Sequence, residues 1–99
     1  MNVSNQEQYQ KLTKNNAIVV FKFGAKWCRP CKIIDPQYLT LSQKYPNVVF
    51  CTVDMDNIGD IEDAAEISTI PAFLVYVGGE ASAKLIGANI NKLEELISL

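Results

Sequence analysis

The sequence predicts an α/β fold, a central mixed sheet of four to five strands flanked by helices on both faces. Three observations carry this. Two nearly continuous apolar runs, residues 17–23 and 48–53, are parted by a stretch with helical apolar spacing, which reads as a parallel βαβ unit with strands covered on both faces. A third run, 72–77, leads into Gly78-Gly79 and then residues 82–86, the pattern of an antiparallel hairpin. Cys28 and Cys31 stand where the first run meets the helical stretch, and a Cys-x-x-Cys at such a junction is where a redox dithiol belongs.

In chain order, Ser4-Asn5-Gln6-Glu7 reads as a capping box with Ser4 as N-cap, opening a short helix over 5–14 with Tyr9 and Leu12 on one face. Residues 17–23 form a strand whose one polar member is Lys22. A helix follows over 28–44, with Ile34, Tyr38, Leu41 and Tyr45 recurring at three- and four-residue steps. Pro36 lies inside it and predicts a kink, or two helices broken at Asp35. Residues 48–53 form the second buried strand. Asp54-Met55-Asp56-Asn57 reads as a solvated turn, since a calcium loop would need a glycine and a terminal glutamate at offsets not met here. A short helix is expected over 58–66, with Ile61, Ala64 and Ala65 facing inward. After the loop 67–71 come the two hairpin strands. The turn Gly87-Ala88-Asn89 then opens a closing amphipathic helix, capped by Asn89, with Ile90, Leu93, Leu96 and Ile97 on its apolar face. The order is α-β-α-β-α-β-β-α.

Ninety-nine residues suit one domain, 1–99, and 48% hydrophobic residues suffice for a core. A net charge of -2 and a pI near 5.0 do not point to nucleic acid or an anionic membrane as partner. The chain has no histidine, which excludes Cys–His and Ser–His catalysis from its own residues. Residues 1–16 are polar, without the apolar centre of a signal peptide, and no run is long enough to span a bilayer. A reducing, cytoplasmic setting is therefore expected, where three cysteines mean redox chemistry sooner than a disulfide framework.

A helix N-terminus favours an anion, so Cys28, at the helix start, is expected to have a lowered pKa and act as nucleophile. Cys31, one turn further in, is placed to close a disulfide with it. The competing assignment, half of a zinc site, needs two more ligands, and only Cys51 remains. Cys51 itself, in an apolar strand, reads as a buried small hydrophobe.

These residues together resemble the thioredoxin family. The Trp-Cys-x-Pro-Cys-Lys signature is Trp27 to Lys32, with Pro30 between the cysteines. The helix-kinking proline is Pro36, and Val53-Asp54 ends the next strand. Ile70-Pro71 matches the family's cis-proline, Gly79 the hairpin glycine and Gly87 the late-loop glycine. The resemblance implies a thioredoxin fold, with the first edge strand reduced to Asn2-Val3 or absent. It implies an oxidoreductase that reduces protein disulfides through a Cys28/Cys31 dithiol and binds no cofactor beyond that redox-active disulfide. Partners would be disulfide-containing proteins and an NADPH-dependent thioredoxin reductase or another dithiol donor, with the protein itself a monomer. Substrate would lie over Trp27, Arg29, Pro30, Ile70, Pro71, Gly87 and Ala88, pairing with the Ile70 backbone. Trp27 would wall one side of Cys28, unless it simply packs in the core.

Two positions depart from the family. Arg29 stands where glycine is usual. Its guanidinium favours the neighbouring thiolate, which predicts a potential less negative than the about -270 mV of thioredoxin, unless the side chain points into water. Lys22 stands where the family places a buried aspartate as proton acceptor for the resolving cysteine. A buried charge wants a partner, and Asp35, four residues after Cys31, is the candidate. Alternatively Lys22 reaches solvent from the strand end. Two rival functions remain: a more oxidising, isomerase-like exchange protein, motivated by Arg29, and a binding module without turnover, which the presence of both cysteines disfavours.

Overall fold

The first and third apolar runs become the sheet's two interior strands. In the computed structural model, which describes residues 1–98, the elements are α1 (Gln6–Asn15), β1 (Ile18–Gly24), α2 (Arg29–Lys44), β2 (Val49–Asp54), a one-turn 3-10 helix (Asp63–Glu66), β3 (Ala72–Val77), β4 (Glu80–Ile86) and α3 (Ile90–Ile97). The sheet order is β2-β1-β3-β4. β1 runs parallel to β2 and antiparallel to β3, and β3 is antiparallel to β4. The expected N-terminal strand is reduced to a single parallel bridge, Asn2 to Thr52.

The period-two alternation of β1 divides the core. Val19, Phe21 and Phe23 pack with Tyr9, Cys51, Val53, Ile61 and Ala64 on one face. Val20 packs with Ile34, Tyr38, Phe73 and Leu93 on the other, beneath α2 and α3. Burying side chains of this size stabilises by about 1.5–3 kcal/mol each. Lys22 belongs by alternation to the second face.

Several local expectations are corrected. The cap of α1 is Asn5, whose side chain accepts from Gln8 N at 2.8 Å, while the Ser4 N–H donates to Gln8 Oε1 at 3.2 Å. The capping motif is thus shifted by one residue. α2 begins at Arg29 and continues unbroken through Pro36, so the two-helix alternative does not hold. The helix expected over 58–66 shrinks to its last turn. Gly59 has φ +58°, outside the helical range, and a Cβ there would meet the Ser4 carbonyl oxygen at 2.3 Å. Ile61 and Ala64 are buried as expected, but Ala65 is exposed. The hairpin glycines have φ of +62° and +85°, as a two-residue connection requires.

Candidate active site at the Cys28–Cys31 dithiol

The register brings four chain segments to one end of the sheet. Gly24 ends β1 opposite Asp54, the last residue of β2. Phe23 pairs with Ala72, just after Pro71, and Ala72 pairs with Ile86, just before Gly87. Gly87 N donates to the Pro71 carbonyl at 2.8 Å. The site therefore sits beyond the carboxyl ends of the two parallel strands, the usual place for chemistry in an α/β sheet. The Ile70–Pro71 peptide bond is cis.

Cys28 and Cys31 form a disulfide, with Cα atoms 5.3 Å apart. Cys28 is the N-cap of α2, with extended backbone, and its Sγ accepts the Cys31 N–H at 3.3 Å. Pro30 lies in the first turn, where its missing N–H costs no intrahelical bond. In the reduced state the same N–H and the positive end of a sixteen-residue helix face the Cys28 sulfur, which favours its thiolate. Both cysteines are buried, Cys28 at 5% and Cys31 at 3% exposure.

Trp27 is 70% exposed, so it is not a core residue. Its indole N–H donates to Asp56 Oδ1 at 3.3 Å, which ties the segment before Cys28 to the loop after β2. That loop is folded on itself by an Asp56 N–H to Asp54 Oδ1 bond of 3.0 Å. The sequence signalled a turn there but not the tryptophan contact. Arg29 and Ala88 are exposed, Ile70 and Gly87 half-buried, and Pro71 buried.

Behind the dithiol, Lys22 is buried and ion-paired with Asp35, so the lysine does not escape to solvent. The Lys22 Nζ also faces the Tyr38 ring, 5.3 Å from its centroid. Burial lowers the Lys22 pKa from its ordinary value, and the adjacent carboxylate opposes that loss of charge. Gly24 explains how closely these groups gather. A Cβ built there would lie 3.2 Å from Cys31 Sγ and 3.9 Å from Lys22 Cε, so those two atoms are no more than about 7 Å apart.

Cys51 is fully buried in β2, and burial pushes its thiol pKa up to about 11, so it stays a neutral packing residue. No group of three or more potential ligands that could hold a metal gathers among the described residues.

Comparison with known proteins gives one consistent answer. The family model described as thioredoxin matches residues 1–99. A thioredoxin of Coprinus comatus is 40% identical over 97 residues, covering 96% of this chain and 92% of its own. Thioredoxin 1 of Plasmodium falciparum is 36% identical over 95 residues, covering 96% and 91%. Among solved structures, oxidised mitochondrial thioredoxin 3 of Saccharomyces cerevisiae superposes with a TM-score of 0.93 at 36% identity, covering 99% of this chain and 92% of that one.

Proposed function

The chain belongs to the thioredoxin family and is a dithiol–disulfide oxidoreductase; from that premise we propose that it reduces protein disulfides with Cys28 as nucleophile and Cys31 as resolving thiol. The observation that carries the assignment of roles is the cap. Cys28 alone has its sulfur at the helix start, receiving a backbone N–H. The Cys28 thiolate attacks one sulfur of the substrate disulfide, and the other leaves as a thiolate that takes up a proton. Cys31 then loses its proton and attacks Cys28 Sγ. The Cys28–Cys31 bond forms as the mixed disulfide breaks, and the second substrate thiol departs. Two electrons pass to the substrate, and the protein ends in the disulfide form seen here.

Trp27, Arg29, Pro30, Ile70, Pro71, Gly87 and Ala88 form the substrate surface around this centre. Electrons return to the disulfide from a thioredoxin reductase using NADPH, or from another dithiol. The protein acts as a monomer in the cytoplasm, whose reducing pool keeps such a dithiol charged. Arg29 is exposed at the first position of α2, so its charge is screened and biases the couple only modestly toward the oxidising side.

The test is trapping. Incubated with an oxidised protein such as insulin, Cys31→Ser accumulates a covalent adduct through Cys28, whereas the parent protein turns over. An adduct mapped to Cys51, or equal trapping by Cys28→Ser, overturns the assignment.

A further inference from the structure

Lys22 is the one charged side chain buried among the described residues, at 7% exposure. Its neighbours in β1 are apolar, and nothing in the strand's packing calls for an ammonium. Its partner Asp35 lies one turn beyond Cys31 on α2, and Lys22, Cys31 and Asp35 all line one open cleft. The two members of the pair differ in hydration. The Lys22 side chain is 9% exposed and that of Asp35 is 52% exposed. Solvent therefore screens the carboxylate far more than the ammonium, and Cys31 feels a net positive charge.

We propose that the Lys22–Asp35 pair is a positioning device for the resolving step: Asp35 holds the ammonium behind Cys31, and the ammonium favours the Cys31 thiolate that attacks the mixed disulfide. This rests on the exchange cycle above. Cys31 is too buried for water to stabilise its thiolate well, and the chain has no histidine to act as base. A fixed cation within about 7 Å, measured to its Cε, replaces the missing hydration. The proton leaves through the cleft to solvent.

The other titratable groups of that cleft are the Met1 α-amino group, Lys26, Lys32, Tyr38 and Asp54. The α-amino group is exposed and donates to the Phe50 carbonyl. Lys26 and Lys32 are exposed. Tyr38 donates its hydroxyl to the Cys51 carbonyl at 2.7 Å, and burial holds its pKa well above the ordinary value, so it carries no charge at neutral pH. Asp54 is half-buried and opposes the effect. Lys22 is the one cation of the set withheld from water.

The experiment titrates Cys31 by thiolate absorbance from pH 5 to 10 in a Cys28→Ser background, where Cys51 stays silent because it is buried. Adding Lys22→Met, which keeps side-chain length and suits an apolar site, is expected to raise the Cys31 midpoint by about one unit. Lys22→Gln, a second neutral variant in case the first folds poorly, gives the same shift. In the otherwise parent protein Lys22→Met slows release of substrate from a preformed mixed disulfide about tenfold at pH 7. It changes alkylation of Cys28, measured in Cys31→Ser, less than twofold. An unmoved Cys31 midpoint, or equal shifts at both cysteines, overturns the proposal. The titration needs no substrate, so a failure of the exchange cycle, seen as absence of the Cys31→Ser adduct, is read separately.

Discussion

Gly24→Ala tests how tightly Cys31 is held. The added methyl would sit 3.2 Å from Cys31 Sγ and 3.4 Å from Cys31 Cβ. Apolar atoms ordinarily meet at about 3.5–4.0 Å, so the site is short by a few tenths of an ångström. The backbone at Gly24 cannot yield easily. It pairs with Asp54 in β2, and its carbonyl accepts the Met55 N–H at 2.8 Å. Nor can Cys31 yield in the oxidised protein, because the disulfide anchors its sulfur to Cys28. Overpacking of this kind costs about 1–3 kcal/mol. In a domain of this size each 1 kcal/mol moves Tm by roughly 4–8 °C, so the oxidised form should lose roughly 4–24 °C. In the reduced protein the tether is gone and the Cys31 side chain can turn away, so the loss should be smaller. A penalty borne mainly by the oxidised form makes the couple more oxidising, by about 20–60 mV if it is borne there entirely. Thermal melts of both redox forms, with equilibration against glutathione, read the two effects. An oxidised-form Tm unchanged within experimental error would refute the argument that Gly24 is required by its contact with Cys31.

Alkaline pH should weaken the fold through the tyrosines. Burial and the Asp63 carboxylate push the Tyr76 pKa up to about 12 and that of Tyr9 higher still, and burial raises Tyr38. Unfolded tyrosines ionise near 10, so the unfolded chain releases protons that the folded one keeps. This contribution is complete below about pH 10 and is lost as pH rises above it, by at most about 1.4 kcal/mol per pH unit for the buried Tyr9. Tyr9 donates to Asp63 at 2.7 Å. Tyr9→Phe should therefore cost about 1 kcal/mol at pH 8 and make the decline above pH 10 shallower, as urea denaturation at stepped pH would show. An identical slope in both proteins counts against it. Arg29→Gly should make the dithiol potential more negative by only about 10–20 mV, matching a screened surface interaction of 0.5–1 kcal/mol, and the difference should shrink in high salt. A shift several times larger and insensitive to salt contradicts the exposed placement of the side chain.

What was legible in the sequence was whatever a short window encodes. Apolar continuity marked β1 and β2, two glycines marked the hairpin, and Asn89 marked the start of α3, where its side chain accepts from Lys92 N at 3.1 Å. The missing helix over 58–62 shows where this stops. Its spacing is helical, but Gly59 is held at a positive φ against the Ser4 carbonyl, a neighbour more than fifty residues away in the chain. The Trp27–Asp56 bond was hidden for the same reason, since it joins residues far apart in the chain, and the Gly24–Cys31 contact, though local, forms only where the end of β1 meets the first turn of α2 in three dimensions. The Lys22–Asp35 pair was long-range and yet legible. An ammonium in an apolar strand is so unfavourable without a counter-charge that its presence demands one, and the helix that follows offers a carboxylate on the face of Cys31. Long-range structure can thus be read from a sequence where leaving it out would be costly. A charge kept at such a cost beside a reacting thiol is, for that reason, the first residue to test for a part in the chemistry.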